Sequence, residues 1–347
     1  MRKLHSYTTI VLLLIATFAS KSYAQSGKID SARFFTDETP IDITIITDFK
    51  TLMAKRDKKE YQAAKVQIRF ADSTSILEDI RVQTRGKFRL ENCYMPPLYL
   101  NFKNDQSPKC KVLGKLKLVC GCGGSSSEDD QLIIKEFLAY KIYNMLTEKS
   151  FRVRLVNVTY EDTKGKVKKY TQHGFLIEDV DDMAARNKCF EVEGRPFLTE
   201  STHRSTMTMV AMFEYMIGNS DWSVPNYHNI KLIRALSDTL SLPFAVPYDL
   251  NHCGFVNASY AAPPEELGLS SVRERAYRGF PRSMEELEQT IAIFKSQKEK
   301  IWSLVNNCQW LSNRYKKEIT NYLDDFYRTL ENKNSVKSVF IDNARTQ

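Results

Sequence analysis

The chain has 347 residues, a hydrophobic fraction of 42% and a formal net charge of +8. This composition is ordinary for a globular protein and argues against a collagen, a coiled coil or a largely disordered chain. Basic residues are scattered without a basic stripe or an aromatic platform, so the sequence gives no case for nucleic-acid binding.

The N-terminus has the pattern of a secretory signal peptide over residues 1–24. Arg2 and Lys3 precede an apolar run at 10–19, and small residues lead to a cleavage site after Ala24. Without cleavage, the same segment would remain as an anchor. No later apolar run approaches the roughly 20 residues of a membrane helix. We therefore predict an exported protein, periplasmic or extracellular, with no integral membrane segment after signal removal.

Periodicity divides the mature chain into a strand-rich part, residues 25–178, and a helical part, residues 179–331, followed by a mobile tail at 332–347. Alternating apolar residues predict strands at 41–45, 64–70, 80–84, 152–160 and 170–177. Apolar residues at helical spacing predict helices at 128–147, 205–217 and 311–330. Gly218 ends the second of these helices, and Ser283 with Glu286 forms a capping box for a further helix.

Seven cysteines in an exported chain allow up to three disulfides and leave at least one further thiol. Cys93, Cys110, Cys120 and Cys122 cluster in the first half of the chain. Structural zinc usually requires two regularly spaced pairs of ligands, and this spacing is irregular. Local disulfides or buried thiols are the favoured interpretation, and zinc is the alternative.

Carboxylate and amide side chains cluster in two neighbouring loops. Asp221 is followed five residues later by Asn226 and then by Asn229, and Asp249 follows the next apolar run. Phosphoryl transfer needs a carboxylate that orients the attacking hydroxyl and oxygen ligands for magnesium. Asp221 suits the first role, and the other three suit the second. The alternative is that these residues cap and turn ordinary loops.

Five motifs resemble, in their order, the spore coat protein H (CotH) kinase family over about residues 80 to 257. They are Arg85-Gly86, a helix around Glu136, Gly174 to Glu178, Asp221 to Asn229, and Pro247 to Asn251. The resemblance implies an α+β, bilobal, divergent protein-kinase-like fold with a strand-rich N-terminal lobe and a helix-rich C-terminal lobe. It also implies ATP with Mg²⁺ or Mn²⁺ as cofactors, and it places Glu178 where the adenine edge would be recognised.

Two departures from that family concern the metal and the phosphate. Asn251 stands where family members usually carry a second Asp, and residues 95–98 replace a lysine-containing stretch. In kinases the lysine lies on a strand just before the helix whose glutamate pairs with it. Lys117, on a strand-like run ahead of Glu136, is therefore the predicted phosphate-binding lysine. The alternative is a row of solvent-facing lysines.

The sequence thus predicts a secreted protein kinase that transfers phosphate from ATP to a Ser or Thr hydroxyl of an exported or surface protein. The alternative is a catalytically inactive binding protein of the periplasm or cell surface, a pseudokinase or an adhesin. It is favoured by the scarcity of ATP outside the cytoplasm. A metal hydrolase built on His228 and His252 and a Cys253 nucleophile are minor alternatives. The oligomeric state is left open.

Overall fold

Seven strands in the described part of the chain close into a barrel. The computed structural model describes residues 31–86, 88–103, 110–123, 127–194 and 196–346, and the predicted signal peptide lies outside these ranges. The strands are β1 (Ile41–Thr47), β2 (Gln62–Arg69), β3 (Ser75–Thr84), β4 (Leu98–Asn101), β5 (Lys115–Cys120), β6 (Val153–Asp162) and β7 (Tyr170–Ile177). Around the barrel they run in the order β1-β2-β3-β4-β5-β7-β6.

The barrel is closed by a parallel pairing between β1 and β6. Ile41 lies opposite Val156 in this pair, whereas the other neighbouring strands are antiparallel. Strand side chains alternate between the two faces, so every second residue of β1 points into the barrel. Ile43 and Ile45 are fully buried there with Val66 and other apolar residues. The interior is therefore a packed hydrophobic core.

The helices and a small second sheet form the rest of the described chain. The helices are α1 (Ser31–Thr36), α2 (Phe49–Ala54), α3 (Phe88–Asn92), α4 (Ser127–Leu146), α5 (Val180–Arg186), α6 (Arg204–Ile217), α7 (Met284–Asn306), α8 (Asn313–Glu331) and α9 (Lys333–Lys337). The second sheet consists of β8 (Cys189–Glu191), β9 (Ile230–Ala235) and β10 (Phe244–Pro247), in the order β10-β9-β8. It is antiparallel.

Helix α4 lies between the barrel and the other helices and is buried on nearly all sides. The ring of Phe175 on β7 contacts Phe137 and Tyr140 of α4, with centroid separations of 6.2 and 5.6 Å. Even Lys135 and Glu136 are only 1% exposed. A charged side chain is rarely so deeply buried unless it is paired. The burial of these two residues makes the middle of α4 a candidate for a functional role.

Several predicted elements are confirmed. The helices expected at 128–147, 205–217 and 311–330 correspond to α4, α6 and α8 within one or two residues at each end. Gly218 ends α6 in the left-handed conformation, with φ 67° and ψ 38°. Ser283 and Glu286 form both hydrogen bonds of the predicted capping box. Local periodicity and capping chemistry were sufficient for these elements.

The predicted bilobal protein-kinase-like fold is wrong, although the α+β class is correct. A closed barrel is not the strand-rich lobe of a bilobal kinase. The alternation of apolar residues is the same in an open sheet and in a barrel, because both bury one face of each strand. What separates the two is the pairing of β1 with β6, which joins residues more than 100 positions apart. No local pattern encodes that pairing.

The end of the chain, expected to be a mobile tail, is instead packed against the helices. Val336, Phe340 and Ala344 are buried, and the Phe340 ring lies edge-on to Tyr277, with centroids 4.9 Å apart. These three residues recur every four positions, which is helical spacing, and the segment is helical over Lys333–Lys337 and Ser338–Asp342. The periodic signal was therefore present but short.

Cys93 and Cys122 form a disulfide, which confirms the expectation of a local disulfide. The remaining cysteines, Cys110, Cys120, Cys189, Cys253 and Cys308, are buried. Disulfides are typical of proteins in oxidising compartments, so this one is consistent with export. In the part of the chain that the structure describes, no helix combines the length and the apolar character needed to cross a membrane.

Candidate functional site

A cleft of about 910 Å³ has walls from the barrel side, from α4 and from the loops after α6 and β10. The barrel side provides Arg85 and Arg89, and α4 provides Glu136 and Tyr140. The two loops provide the predicted residues Asp221, Asn226, Asn229 and Asp249, together with His228, Asn251 and His252. Four of the seven predicted site residues thus come from these two loops, and Glu136 joins them from α4.

Backbone hydrogen bonds bring the two loops together. The end of α6 and the segment after β10 are joined by a bridge between Asn219 and Cys253, and the Gly254 N–H donates to the Gly218 carbonyl at 3.1 Å. The Tyr248 N–H donates to the Asn229 carbonyl at 3.0 Å. The loop that carries Asp221 is therefore attached at both ends to the segment that carries Asp249.

The Asp221 carboxylate is held by two neighbours. Its Oδ1 lies 2.8 Å from Nε2 of His228, and its Oδ2 accepts from Nδ2 of Asn229 at 3.1 Å. The Asp221 N–H donates to Oδ1 of Asn219 at 3.0 Å. The carboxylate remains about one third exposed. It is oriented and accessible, as a group that must contact a substrate hydroxyl should be.

Asn229 has its amide nitrogen committed to Asp221. Nδ2 donates to the Asp221 carbonyl at 2.7 Å as well as to the carboxylate, and the residue has a positive φ of 53°. The amide oxygen is then the atom available to a cation. Asn226 also lines the cleft and is exposed. Both residues can offer the oxygen ligands that hard cations prefer.

Asp249 adopts a left-handed backbone conformation, with φ 60° and ψ 66°. Its N–H donates to the Tyr140 hydroxyl at 2.7 Å, which fixes the residue against α4. Non-glycine residues rarely adopt this conformation and persist in it when their surroundings hold them there. Among the described residues the Asp249 carboxylate forms no ion pair. It is a second partly buried carboxylate in the same cleft as Asp221.

The cation beside Glu136 is Arg89, not the predicted Lys117. Nη2 of Arg89 lies 3.3 Å from Oε2 of Glu136 and 3.0 Å from the hydroxyl of Tyr260. Burial raises the pKa of Glu136 to about 7 despite the opposing charge of Arg89, and the negative charge of Asp249 raises it further. Burial thus favours the neutral form of Glu136, and the charge of Arg89 favours the ionised form.

Lys117 does not line the cleft. Its Nζ lies 4.7 Å from the ring centroid of Tyr248 and 5.8 Å from that of Phe151. Burial lowers the pKa of Lys117 to about 8, and the positive charges of Arg85 and Lys231 lower it further. Lys117 thus forms a cation–π contact with Tyr248, a ring that lines the cleft.

Glu178 is engaged in a buried ion pair. Its Oε1 lies 2.9 Å from Nε of Arg186, and its Oε2 accepts from the Arg152 N–H at 3.0 Å. The neighbouring Ile177 lines the cleft, but Glu178 is outside the lining. Its contacts are those of a residue that fixes α5 to the end of β7. The prediction that it contacts an adenine edge stays a prediction.

Arg89 was not predicted as part of the site. It lies on α3, a helix of five residues that is too short for a periodic signal. The Cys93–Cys122 disulfide joins the end of this helix to the segment before α4. Knowledge of that pairing would have placed Arg89 near Glu136, because the pairing brings both segments together.

Within the described ranges, no three His, Cys, Asp or Glu side chains converge into a group that could hold a metal ion. The cleft offers carboxylates and amide oxygens instead. No protein-family model matches the chain, and no curated protein matches it either. The resemblance to the CotH kinase family therefore stays a prediction.

Proposed function

We propose that the cleft binds ATP with Mg²⁺ or Mn²⁺ and transfers the terminal phosphate to a Ser or Thr hydroxyl of an exported or surface protein. One observation carries the proposal. Two separate loops place an oriented carboxylate, Asp221, and a second carboxylate, Asp249, in one cleft with the amide of Asn229. Phosphoryl transfer depends mainly on such positioning and on charge stabilisation.

The role of Asp221 follows from its contacts. His228 and Asn229 fix both carboxylate oxygens, and the partial exposure of the carboxylate leaves room for a hydroxyl. The acceptor oxygen bonds to the terminal phosphorus as the bond from phosphorus to the bridging oxygen breaks. The hydroxyl proton passes to Asp221, and the nucleoside diphosphate leaves with the electron pair of the broken bond.

Asp249, Asn229 and Asn226 are the residues that would hold the metal ion. Magnesium typically takes one or two protein oxygens and completes its shell with water and phosphate, so a cluster of three acidic residues is not required. When bound, the ion neutralises charge on the phosphates. The fixed backbone of Asp249 supports this assignment because it holds the carboxylate in one place.

The cellular location belongs to the same proposal. The Cys93–Cys122 disulfide supports an oxidising compartment, and we propose the periplasm or the cell exterior. ATP is scarce there, which favours a second candidate, a binding protein without turnover. Asn251, in place of a second aspartate, is 8% exposed and lines the cleft, and its amide is a weaker metal ligand than a carboxylate.

A transfer assay separates the two candidates. Purified protein is incubated with ATP labelled at the terminal phosphate and with Mg²⁺ or Mn²⁺, and self-phosphorylation and label on added exported proteins are counted. Asp221→Asn and Asp249→Asn keep the shape of the side chains and should each abolish transfer. Asp238→Asn, in an exposed turn where Asn can make the same backbone contacts, is the matched control.

The outcomes are distinct. Transfer that is lost in both cleft variants and kept in the control supports the phosphotransferase. Transfer that survives in Asp221→Asn contradicts the role given to that carboxylate. An absence of transfer under all metal conditions, with a cooperative unfolding transition that shows the protein to be folded, favours the binding protein.

A further inference from the structure

We propose that Arg85 and Arg89 form a polyphosphate-binding subsite on the barrel side of the cleft, so that arginines replace the missing phosphate-binding lysine. This inference rests on the proposed function in taking the ligand to be the triphosphate of the donor. Both arginines line the cleft that holds Asp221 and Asp249. Arg85 and Arg89 come from the barrel side of the cleft, whereas Asp221 and Asp249 come from the loops after α6 and β10.

Arg85 has no counter-ion among the residues that the structure describes. It follows β3, and its N–H donates to the Pro97 carbonyl at 2.9 Å, which fixes the backbone at the rim of the barrel. Its guanidinium lies over the ring of Tyr99, 5.5 Å from the centroid. It forms no ion pair with any residue that the structure describes. A half-buried arginine without an ion pair usually donates hydrogen bonds to a ligand or to water.

The Nε atoms of both arginines support a ligand. Each is buried and has no hydrogen-bond partner among the described residues. Buried polar atoms without partners are uncommon, and such groups in a cleft point to an occupant. The guanidinium group presents its donors as a planar fork that matches phosphate oxygens, which makes arginine well suited to phosphate.

The charge of Arg85 acts on the centre of the cleft. After burial, it is the largest influence that lowers the pKa of Lys117. It also opposes the effect of burial on the pKa of Glu136 and of Tyr140. Arg85 and Arg89 therefore both act on the charge of Glu136, and both line the same cleft.

The surroundings of Arg89 oppose the negative charge of its partner. Burial raises the pKa of Glu136, whereas Arg89 keeps its positive charge. Arg89 is 12% exposed and is held in place by the Tyr260 hydroxyl and Glu136. A cation that is already oriented loses little entropy on binding phosphate.

The test measures binding of inorganic tripolyphosphate by calorimetry in the presence of a metal chelator. The expected result is binding that weakens at least tenfold in Arg85→Gln and less in Arg85→Lys, which keeps the charge but not the fork. Arg328→Gln, an exposed arginine on α8, is the matched control and should not change affinity. Asp249→Asn should bind as tightly as the native chain or more tightly, since it removes a negative charge nearby.

Arg89 is examined with Arg89→Lys, because removing its charge would leave Glu136 buried and unpaired. The Arg85 variants therefore decide whether the subsite exists. Their thermal unfolding midpoints should match that of the native chain. Equal affinity in Arg85→Gln and the native chain would overturn the proposal. The proposal would also be overturned if the protein bound adenosine but not tripolyphosphate. The same would follow if it bound citrate more tightly than tripolyphosphate and this preference depended on Arg85.

The result can be separated from that of the transfer assay. Tripolyphosphate binding that depends on Arg85 in a protein without transfer would keep the anion subsite and reject the phosphotransferase. Full transfer by Arg85→Gln, with an unchanged KM for ATP, would keep the phosphotransferase and reject the subsite.

Discussion

His228 Nε2 lies 2.8 Å from Oδ1 of Asp221, within a loop that closes on itself. The N–H of Ser223 donates to the carbonyl of His228 and the N–H of His228 to that of Ser223, both at 2.9 Å. The backbone therefore shapes the loop, and the imidazole is free to orient the carboxylate. This separation allows the orienting role to be tested without loss of the loop.

His228→Ala should lower the rate constant of transfer roughly 10- to 100-fold, because a misplaced carboxylate loses its alignment with the acceptor hydroxyl. The KM for ATP should stay within about twofold, since the side chain is not among the predicted phosphate or metal ligands. Steady-state kinetics at saturating acceptor measure both constants. His173→Ala, outside the cleft lining, is the control. An unchanged rate constant in His228→Ala would remove the orienting role.

The sequence and the structure agree where a signal is local. The helix ending at Gly218 and the acidic and amide residues of the following loop were predicted, because a left-handed glycine and turn-forming Asp and Asn are determined by a few neighbouring residues. The proximity of Asp221 and Asp249 was predicted from the expected neighbourhood of their loops. The structure places both in one cleft.

Two errors have a common physical origin. The pairing of β1 with β6 and the contact of Arg89 with Glu136 both join segments that are distant in sequence. Neither leaves a periodic trace, since a strand alternates in the same way whatever its partner. The prediction that Lys117 lies on a strand ahead of α4 was correct. Its side chain, however, contacts the ring of Tyr248 and does not line the cleft.

The Cys93–Cys122 disulfide should stabilise both the fold and the position of Arg89. It joins residues separated by 29 positions, and the Cys93 N–H donates to the Arg89 carbonyl at 3.1 Å. Loss of a cross-link of this length should lower the free energy of unfolding by about 3 kcal/mol. Urea unfolding of Cys93→Ser/Cys122→Ser should show this loss.

The same double variant should bind tripolyphosphate more weakly, because α3 loses its attachment to the segment before α4. A reducing agent should reproduce both effects in the native chain and add nothing in the double variant. A double variant with native stability would show that the hydrogen bond from the Tyr94 N–H to the Cys122 carbonyl, at 2.9 Å, is a sufficient attachment.

Gly218 should not tolerate a side chain. Its φ is 67°, and a Cβ added there would collide with the hydroxyl of Tyr322. The left-handed conformation alone costs a residue with a Cβ about 1–2 kcal/mol. Gly165→Ala is a matched control, because Gly165 has φ 62° but nothing within 4 Å of the added atom.

We expect Gly218→Ala to lose at least about 1 kcal/mol more unfolding free energy than Gly165→Ala, with the difference arising from the collision. Paired urea titrations measure this difference. Equal losses would mean that Tyr322 moves aside without cost, and the loop that carries Asp221 would then be less rigid than its hydrogen bonds indicate.

Glu214 should make stability depend on pH. It lies on α6, is 1% exposed, and forms no hydrogen bond of good geometry through either carboxylate oxygen among the described residues. Burial raises the pKa of Glu214 from its ordinary value of 4.5 to about 8; the side chain of Asn219 opposes this rise, and the negative charge of Asp221 adds to it. The folded state therefore keeps a proton that the unfolded chain releases between these two pH values.

Because the folded state binds more protons in that window, the free energy of unfolding contributed by Glu214 falls as pH rises from about 4.5 to about 8. The slope approaches roughly 1.4 kcal/mol per pH unit, and the loss is complete above the folded pKa.

Glu214→Gln has no proton to lose, so its stability relative to the native chain should increase steadily across the window. Glu299→Gln, an exposed residue on α7, is the control. Urea unfolding at pH 5, 6, 7 and 8 measures the difference, and parallel pH curves for Glu214→Gln and the native chain would show that the buried carboxyl is solvated or paired in solution.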